Sequence, residues 1–188
     1  MTIEARSKQL RREADEVLAR IHLREHCARI GDLILTGSYS LDLMMYPDVD
    51  LYLPPTTPEV LLAVGAELAQ YDCVKKLNFE KGEDGDLKEG LYIKPVVQMG
   101  DWGRPWKVDI WSLPLPVIAK KQAELESLKR QMTDEHRHRI LDCKYRLLNA
   151  EGRTPMFSGI HIYRAIVDHG MTELDQIVGY LKQNGIRV

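Results

Sequence analysis

Apolar residues recur at helical spacing from the start of the chain. Leu10, Ala14, Val17, Leu18, Ile21 and Ala28 sit between charged positions, which predicts one long amphipathic helix over residues 3–30 with Gly31 as its stop. The period then changes. Residues 33–36 read as a short buried strand, and 40–45 as a short helix capped by Ser40 or Ser38. Pro47 interrupts that helix, and residues 48–53 alternate polar with apolar, as a strand does. Thr57 as N-cap and Pro58 as the first helical residue open a helix that runs to residue 72. Strands follow at 74–79, 91–99 and 106–111, separated by turn-rich loops at 81–86 and 100–105. Pro95 assigns the strand at 91–99 an edge position or a bulge. After Pro114 and Pro116 the pattern is helical to residue 188, with breaks near Thr133, at 152–155 and at 170–172.

These elements predict an α/β (α+β) fold. A mixed sheet of four to five strands, roughly residues 31–113, is flanked by helices and followed by a C-terminal helical region. The expected division is a core over residues 1–115, including the N-terminal helix, and a helical region over 116–188.

Composition narrows the partners. The 188 residues carry 26 basic and 28 acidic side chains, a balance that argues against a grip on long nucleic acid. Cys27, Cys73 and Cys143 are far apart and read as reduced thiols in a cytoplasmic protein. No stretch has membrane-spanning length, and the first residues begin a charged helix and not a signal peptide. Oligomeric state is not legible.

Candidate chemistry gathers around two aspartates. Asp48 and Asp50 are alternate residues of one strand, so they point to the same face. Two parallel carboxylates are costly unless cations neutralise them, and paired aspartates are natural oxygen ligands for Mg²⁺ shared with substrate phosphates. An apolar run ends upstream in Gly37-Ser38. Glycine lets a backbone approach a phosphate, and serine offers a hydroxyl and an N–H. Asp109 lies mid-strand with Val108 and Ile110 facing the other way, so it shares a face with Lys107 and Trp111. If that strand lies beside the Asp48–Asp50 strand, three carboxylates converge. Such a cluster can hold two metal ions about 3.5–4 Å apart.

An apolar strand, Gly37-Ser38, a spacer, Asp48-x-Asp50 and a later strand acid, Asp109, resemble the nucleotidyltransferase superfamily typified by DNA polymerase beta. The likeness covers roughly residues 31–113, and the compact size is more like antibiotic-modifying and stand-alone small bacterial members than the polymerases. The resemblance implies an Mg²⁺-dependent, ATP-binding type of transferase (EC 2.7.7-like). It would move a nucleoside monophosphate from a nucleoside triphosphate to a hydroxyl acceptor and release pyrophosphate. Asp48, Asp50 and Asp109 would be catalytic and would bind two Mg²⁺ ions, with Asp109 able to accept the acceptor's proton. Gly37 and Ser38 would hold the β- and γ-phosphates. Lys107, Arg104 and Lys94 are candidates for contacting the triphosphate, and spacing alone does not choose among them. The expected acceptor is a small molecule, antibiotic-like; a protein or a tRNA end stays open, while long nucleic acid and membrane are not expected. The alternatives are a catalytically idle relative that binds nucleotide or a partner, and a toxin–antitoxin adenylyltransferase acting on a protein.

Other chemistry-bearing residues have plainer readings. Asp42 reads as helix surface, and Asp84 and Asp86 as a solvated hairpin. His22 and His26 read as a solvated helix face, and His136 and His138 diverge. Arg137, Arg139, Lys144, Arg146 and Arg153 make the tail locally basic, as a solvated face or as a rim for acceptor or phosphate. Trp102, Trp106 and Trp111 cluster around the last strand, mostly as packing; Tyr39 and Tyr163 are further stacking candidates, with packing favoured for Tyr163.

Overall fold

Thr2 caps the first helix, α1 (Ile3–Arg20), its hydroxyl accepting from the Ala5 N–H at 3.1 Å. The computed structural model describes residues 1–83, 85–148 and 157–187. After α1 come α2 (Leu23–Cys27), β1 (Ile34–Leu35), α3 (Gly37–Ser40), β2 (Asp48–Leu53) and α4 (Pro58–Leu68). Then follow β3 (Val74–Lys81), β4 (Leu91–Val97), β5 (Trp106–Ser112), α5 (Leu115–Gln131), α6 (Asp134–Arg146), α7 (Ile160–Val167) and α8 (Leu174–Gln183). The fold is therefore α+β, with one mixed five-stranded sheet flanked by helices.

Strand order is β1-β2-β5-β4-β3. Among the described residues only β2 and β5 run parallel, and they lie in register with Asp48 opposite Lys107 and Asp50 opposite Asp109. Strand alternation sorts the two faces. Val49, Leu51 and Leu53 of β2 and Val108 and Ile110 of β5 are fully buried with Leu10, Ala14 and Val17 of α1 and Leu61, Val64 and Leu68 of α4. The opposite face carries Asp48, Asp50, Tyr52, Lys107, Asp109 and Trp111, which border a cavity closed by residues of α5, α6 and α7.

A second apolar cluster fixes the helical region to the sheet. Leu43, Met45 and Tyr46, from the segment between α3 and β2, are buried with Ile140, Leu141, Ile162, Tyr163, Ile166 and Leu181. Burying one leucine such as Leu43 contributes about 1.5–3 kcal/mol. The Tyr46 hydroxyl also donates to the Lys144 carbonyl at 2.9 Å. Arg137 of α6 donates to Glu4 of α1 at 2.5 Å and to Asp42 at 3.1 Å, so Asp42 is paired across elements.

Several predicted elements differ. The long first helix is broken at His22, which is left-handed at φ +46°. Ile21 and Leu23 lie on different faces of a continuous helix, yet both are buried; the break turns α2 so that each finds the core. The helix predicted at 40–45 is replaced by the earlier, shorter α3, which Asp42, left-handed at φ +55°, closes off. The α4 helix ends at Leu68 and not at 72. Pro95 marks no edge: β4 lies between β5 and β3. Its ladder to β5 is interrupted between Ile93 and Val96, so the missing N–H falls in that gap. The helix breaks at Thr133 and at 170–172 are found, Thr133 being the N-cap of α6. The break at 152–155, Arg153 and Asp84 lie outside the described residues. Among the described residues no helix is long and apolar enough to cross a membrane.

Candidate active site

Gly37 begins α3 with φ +60°, a conformation that favours glycine. A Cβ there would fall on the Asp50 carboxylate, so the glycine also makes room for that group. Thr36 N–H donates to the Asp50 carbonyl at 3.0 Å, which ties the turn to β2. Ser38 is buried and borders the cavity beside Asp48 and Asp50. Arg11 of α1 holds the turn from behind. Its guanidinium donates to the Tyr39 carbonyl at 2.6 Å and lies 3.7 Å from the ring centroid, while the Tyr39 hydroxyl donates to Asp15 at 2.5 Å. Tyr39 therefore faces α1 and is no part of the cavity wall.

The cavity measures about 530 Å³. Asp48, Asp50 and Asp109 all line it, as do Gly37, Ser38 and Lys107. Burial, then the charges of Asp48 and Asp109, push the Asp50 carboxyl up to about 8. Asp48 is pushed up to about 6, again by burial first; Lys144, Lys107 and Arg104 oppose this, while Asp109 adds to it. Both carboxyls are therefore harder to ionise here than in water, and a cation bound beside them would favour the ionised form.

Lys144 of α6 is the main counter-charge; of the five basic residues read as a solvated face or a phosphate rim, it borders the cavity. It is 3 % exposed, borders the cavity, and donates to the Leu43 carbonyl at 2.7 Å and the Tyr163 hydroxyl at 3.4 Å. The rings of Tyr46 and Tyr163 flank its ammonium at 4.9 and 5.7 Å. Burial lowers it to about 8, against the pull of Asp48 and Asp50.

The remaining candidates fall in different places. Arg104 is half-buried in the loop before β5, with its charge beside Asp48 and Tyr46, and is not among the cavity walls. Lys94 is also outside the walls; its ammonium lies 5.5 Å from the Tyr92 ring centroid. Asp109 Oδ1 accepts a hydrogen bond from the Tyr92 hydroxyl. Trp106 is fully buried, Trp111 lines the cavity, and Trp102 donates to Glu13 at 2.5 Å with Arg6 stacked 4.7 Å from its ring centroid. Tyr163 packs in the second core and also meets the cavity. His26 is half-buried: its ring meets Glu67 at 2.8 Å and the Tyr71 hydroxyl at 3.0 Å, away from the cavity. Asp86 pairs with Lys120 at 3.1 Å.

Oxygen-only donors suit a hard divalent cation in kind. The expectation that all three carboxylates already share metal-ligating reach is not met. Among the described residues no three His, Cys, Asp or Glu side chains are gathered closely enough to hold one ion. Mutual repulsion works against such a cluster, and Asp109 is engaged by Tyr92.

No protein-family model matches the chain, and no curated protein matches it. Among solved structures it is similar to Cid1, whose structural plasticity is described as a basis for RNA terminal uridylyl transferase activity. The identity is 17 % and the TM-score 0.48, over 76 % of this chain and 44 % of that one. The chain thus spans less than half the length of that protein.

Proposed function

We propose that this chain is an Mg²⁺-dependent nucleotidyltransferase of the DNA polymerase beta-like kind. It moves a nucleoside monophosphate from a nucleoside triphosphate to a hydroxyl group and releases pyrophosphate. One observation carries this reading: Asp48, Asp50 and Asp109, from two parallel strands, border the same cavity as Gly37, Ser38, Lys107 and Lys144.

Asp48 and Asp50, with Asp109 for a second ion, would hold Mg²⁺, which would neutralise the triphosphate and the departing pyrophosphate. Gly37 and Ser38 offer backbone N–H groups, and Ser38 its hydroxyl, to phosphate oxygens. Lys144 and Lys107 supply positive charge along the cavity wall. Lys144 is buried, and in such surroundings charge acts more strongly than in water. The acceptor oxygen attacks the α-phosphorus, the bond to the pyrophosphate oxygen breaks, and the hydroxyl proton passes to the Asp109 carboxylate.

The acceptor in this reading is a small molecule. A net charge of −2 gives no general attraction for a long polyanion. The test is pyrophosphate release from the four triphosphates with Mg²⁺, against pools of small molecules, RNA and protein. Labelled nucleotide then shows the product class. Release by the native chain and none by Asp48→Asn supports the reading. No release from any triphosphate with any pool ends it.

A further inference from the structure

Tyr92 and Asp109 meet along a diagonal of the sheet. Tyr92 stands opposite Trp111 on the antiparallel β4–β5 pair, so Asp109, two residues back along β5, is its diagonal neighbour on the same face. Diagonal neighbours are about 7–8 Å apart, a gap that an aromatic side chain spans. The phenol spans it here and donates to Asp109 Oδ1. The ring itself is held. It stacks on Trp111 with centroids 4.6 Å apart and planes 29° apart, the Lys94 ammonium lies over it, and it is 7 % exposed.

We infer that Tyr92 is a positioning residue: its phenol orients the Asp109 carboxylate in the cavity wall. It lines no part of the cavity itself and acts through Asp109. The chemistry of the donor fits this role. A neutral phenol fixes one carboxylate oxygen and leaves the negative charge in place for a cation, whereas a lysine or arginine would neutralise it. The inference rests on the nucleotidyltransferase reading, in which Asp109 contributes to a metal site and takes the acceptor's proton.

Tyr92→Phe removes the hydroxyl and keeps the stacked ring. Groups that hold a metal ligand in place typically account for 10–100-fold in metal affinity or activity. Two readouts are therefore expected to fall together. Mn²⁺ affinity of the site that Asp109→Asn abolishes, titrated by electron paramagnetic resonance without nucleotide, drops about 10–100-fold; kcat for pyrophosphate release drops by a similar factor, with KM for the triphosphate unchanged. Partial unfolding lowers the number of Mn²⁺ sites and not their affinity, so misfolding is told apart from mispositioning. Unchanged Mn²⁺ affinity, or a variant with no folded fraction, overturns the positioning role. A native chain that releases no pyrophosphate defeats the underlying reading instead, while a native chain that turns over with a Tyr92→Phe equal to it defeats the Tyr92 inference alone.

Discussion

The Asp50 carboxylate occupies the space that a Cβ on residue 37 would need, so Gly37, at the start of α3, and Asp50 of β2 are fitted to one another. Residue 37 is also left-handed, at φ +60°. Gly37→Ala thus meets both a clash and backbone strain, together about 2 kcal/mol or more. We expect a lower unfolding midpoint and a displaced Asp50. Pyrophosphate release is expected to fall even at temperatures where the variant is fully folded, which denaturation curves and kinetics on one preparation would show.

The raised carboxyls make a statement about pH. An acid whose folded-state pKa lies above its unfolded value keeps its proton longer in the native state, so stability falls as pH rises between the two values. For Asp50 that window runs from 3.8 to about 8, and for Asp48 from 3.8 to about 6. Urea midpoints in EDTA should therefore decline from pH 5 to pH 8. Asp50→Asn should flatten the decline, and Mg²⁺ at pH 8 should reverse it in the native chain by binding the folded state. Lys144, lowered to about 8 from 10.5, acts in the opposite sense only above this window. A midpoint that rises with pH would contradict the electrostatic picture.

Lys144 separates charge from size. Lys144→Met removes the buried cation and leaves the Leu43 carbonyl without its donor, a loss of about 1–3 kcal/mol in stability. The triphosphate KM should rise or kcat fall by about 10²-fold, since a preorganised charge is lost. Lys144→Arg should fail to restore activity, because the planar guanidinium does not fit a point-charge site between the Tyr46 and Tyr163 rings. Steady-state kinetics on both variants checks this.

Arg137 serves the assembly and not the chemistry. It joins α6 to Glu4 and Asp42 and lies outside the cavity. Arg137→Ala should cost about 1–2 kcal/mol, because charge-assisted bonds in a network exceed isolated surface pairs. Per folded molecule, turnover should be unchanged, which thermal denaturation and active-site titration would show.

Period and spacing made much of the sheet and the acidic face readable. Asp48 and Asp50 share a face because strands repeat every two residues, and Val108 and Ile110 force Asp109 to the other side of β5. Gly37-Ser38 was visible as a turn after an apolar run. What stayed open or escaped needed tertiary knowledge. Lys144 sits among Arg137, Arg139 and Arg146 on a polar helix, and only the docking of the segment 41–46 buries it. Tyr92 depends on the antiparallel register of β4 with β5, which no local pattern encodes. The break at His22 carries neither glycine nor proline, and Pro95 sits in an interior strand because the ladder has a gap there.

The central claim is that Asp48 and Asp50, joined by Asp109, bind divalent cations against a polyphosphate. Crystals grown with Mn²⁺ and an α,β-methylene nucleoside triphosphate test it through the anomalous signal of manganese. Peaks touching carboxylate oxygens of Asp48 and Asp50, with the phosphates against Gly37 and Ser38, are predicted. A nucleotide bound with manganese elsewhere, or with these carboxylates bare, would contradict it.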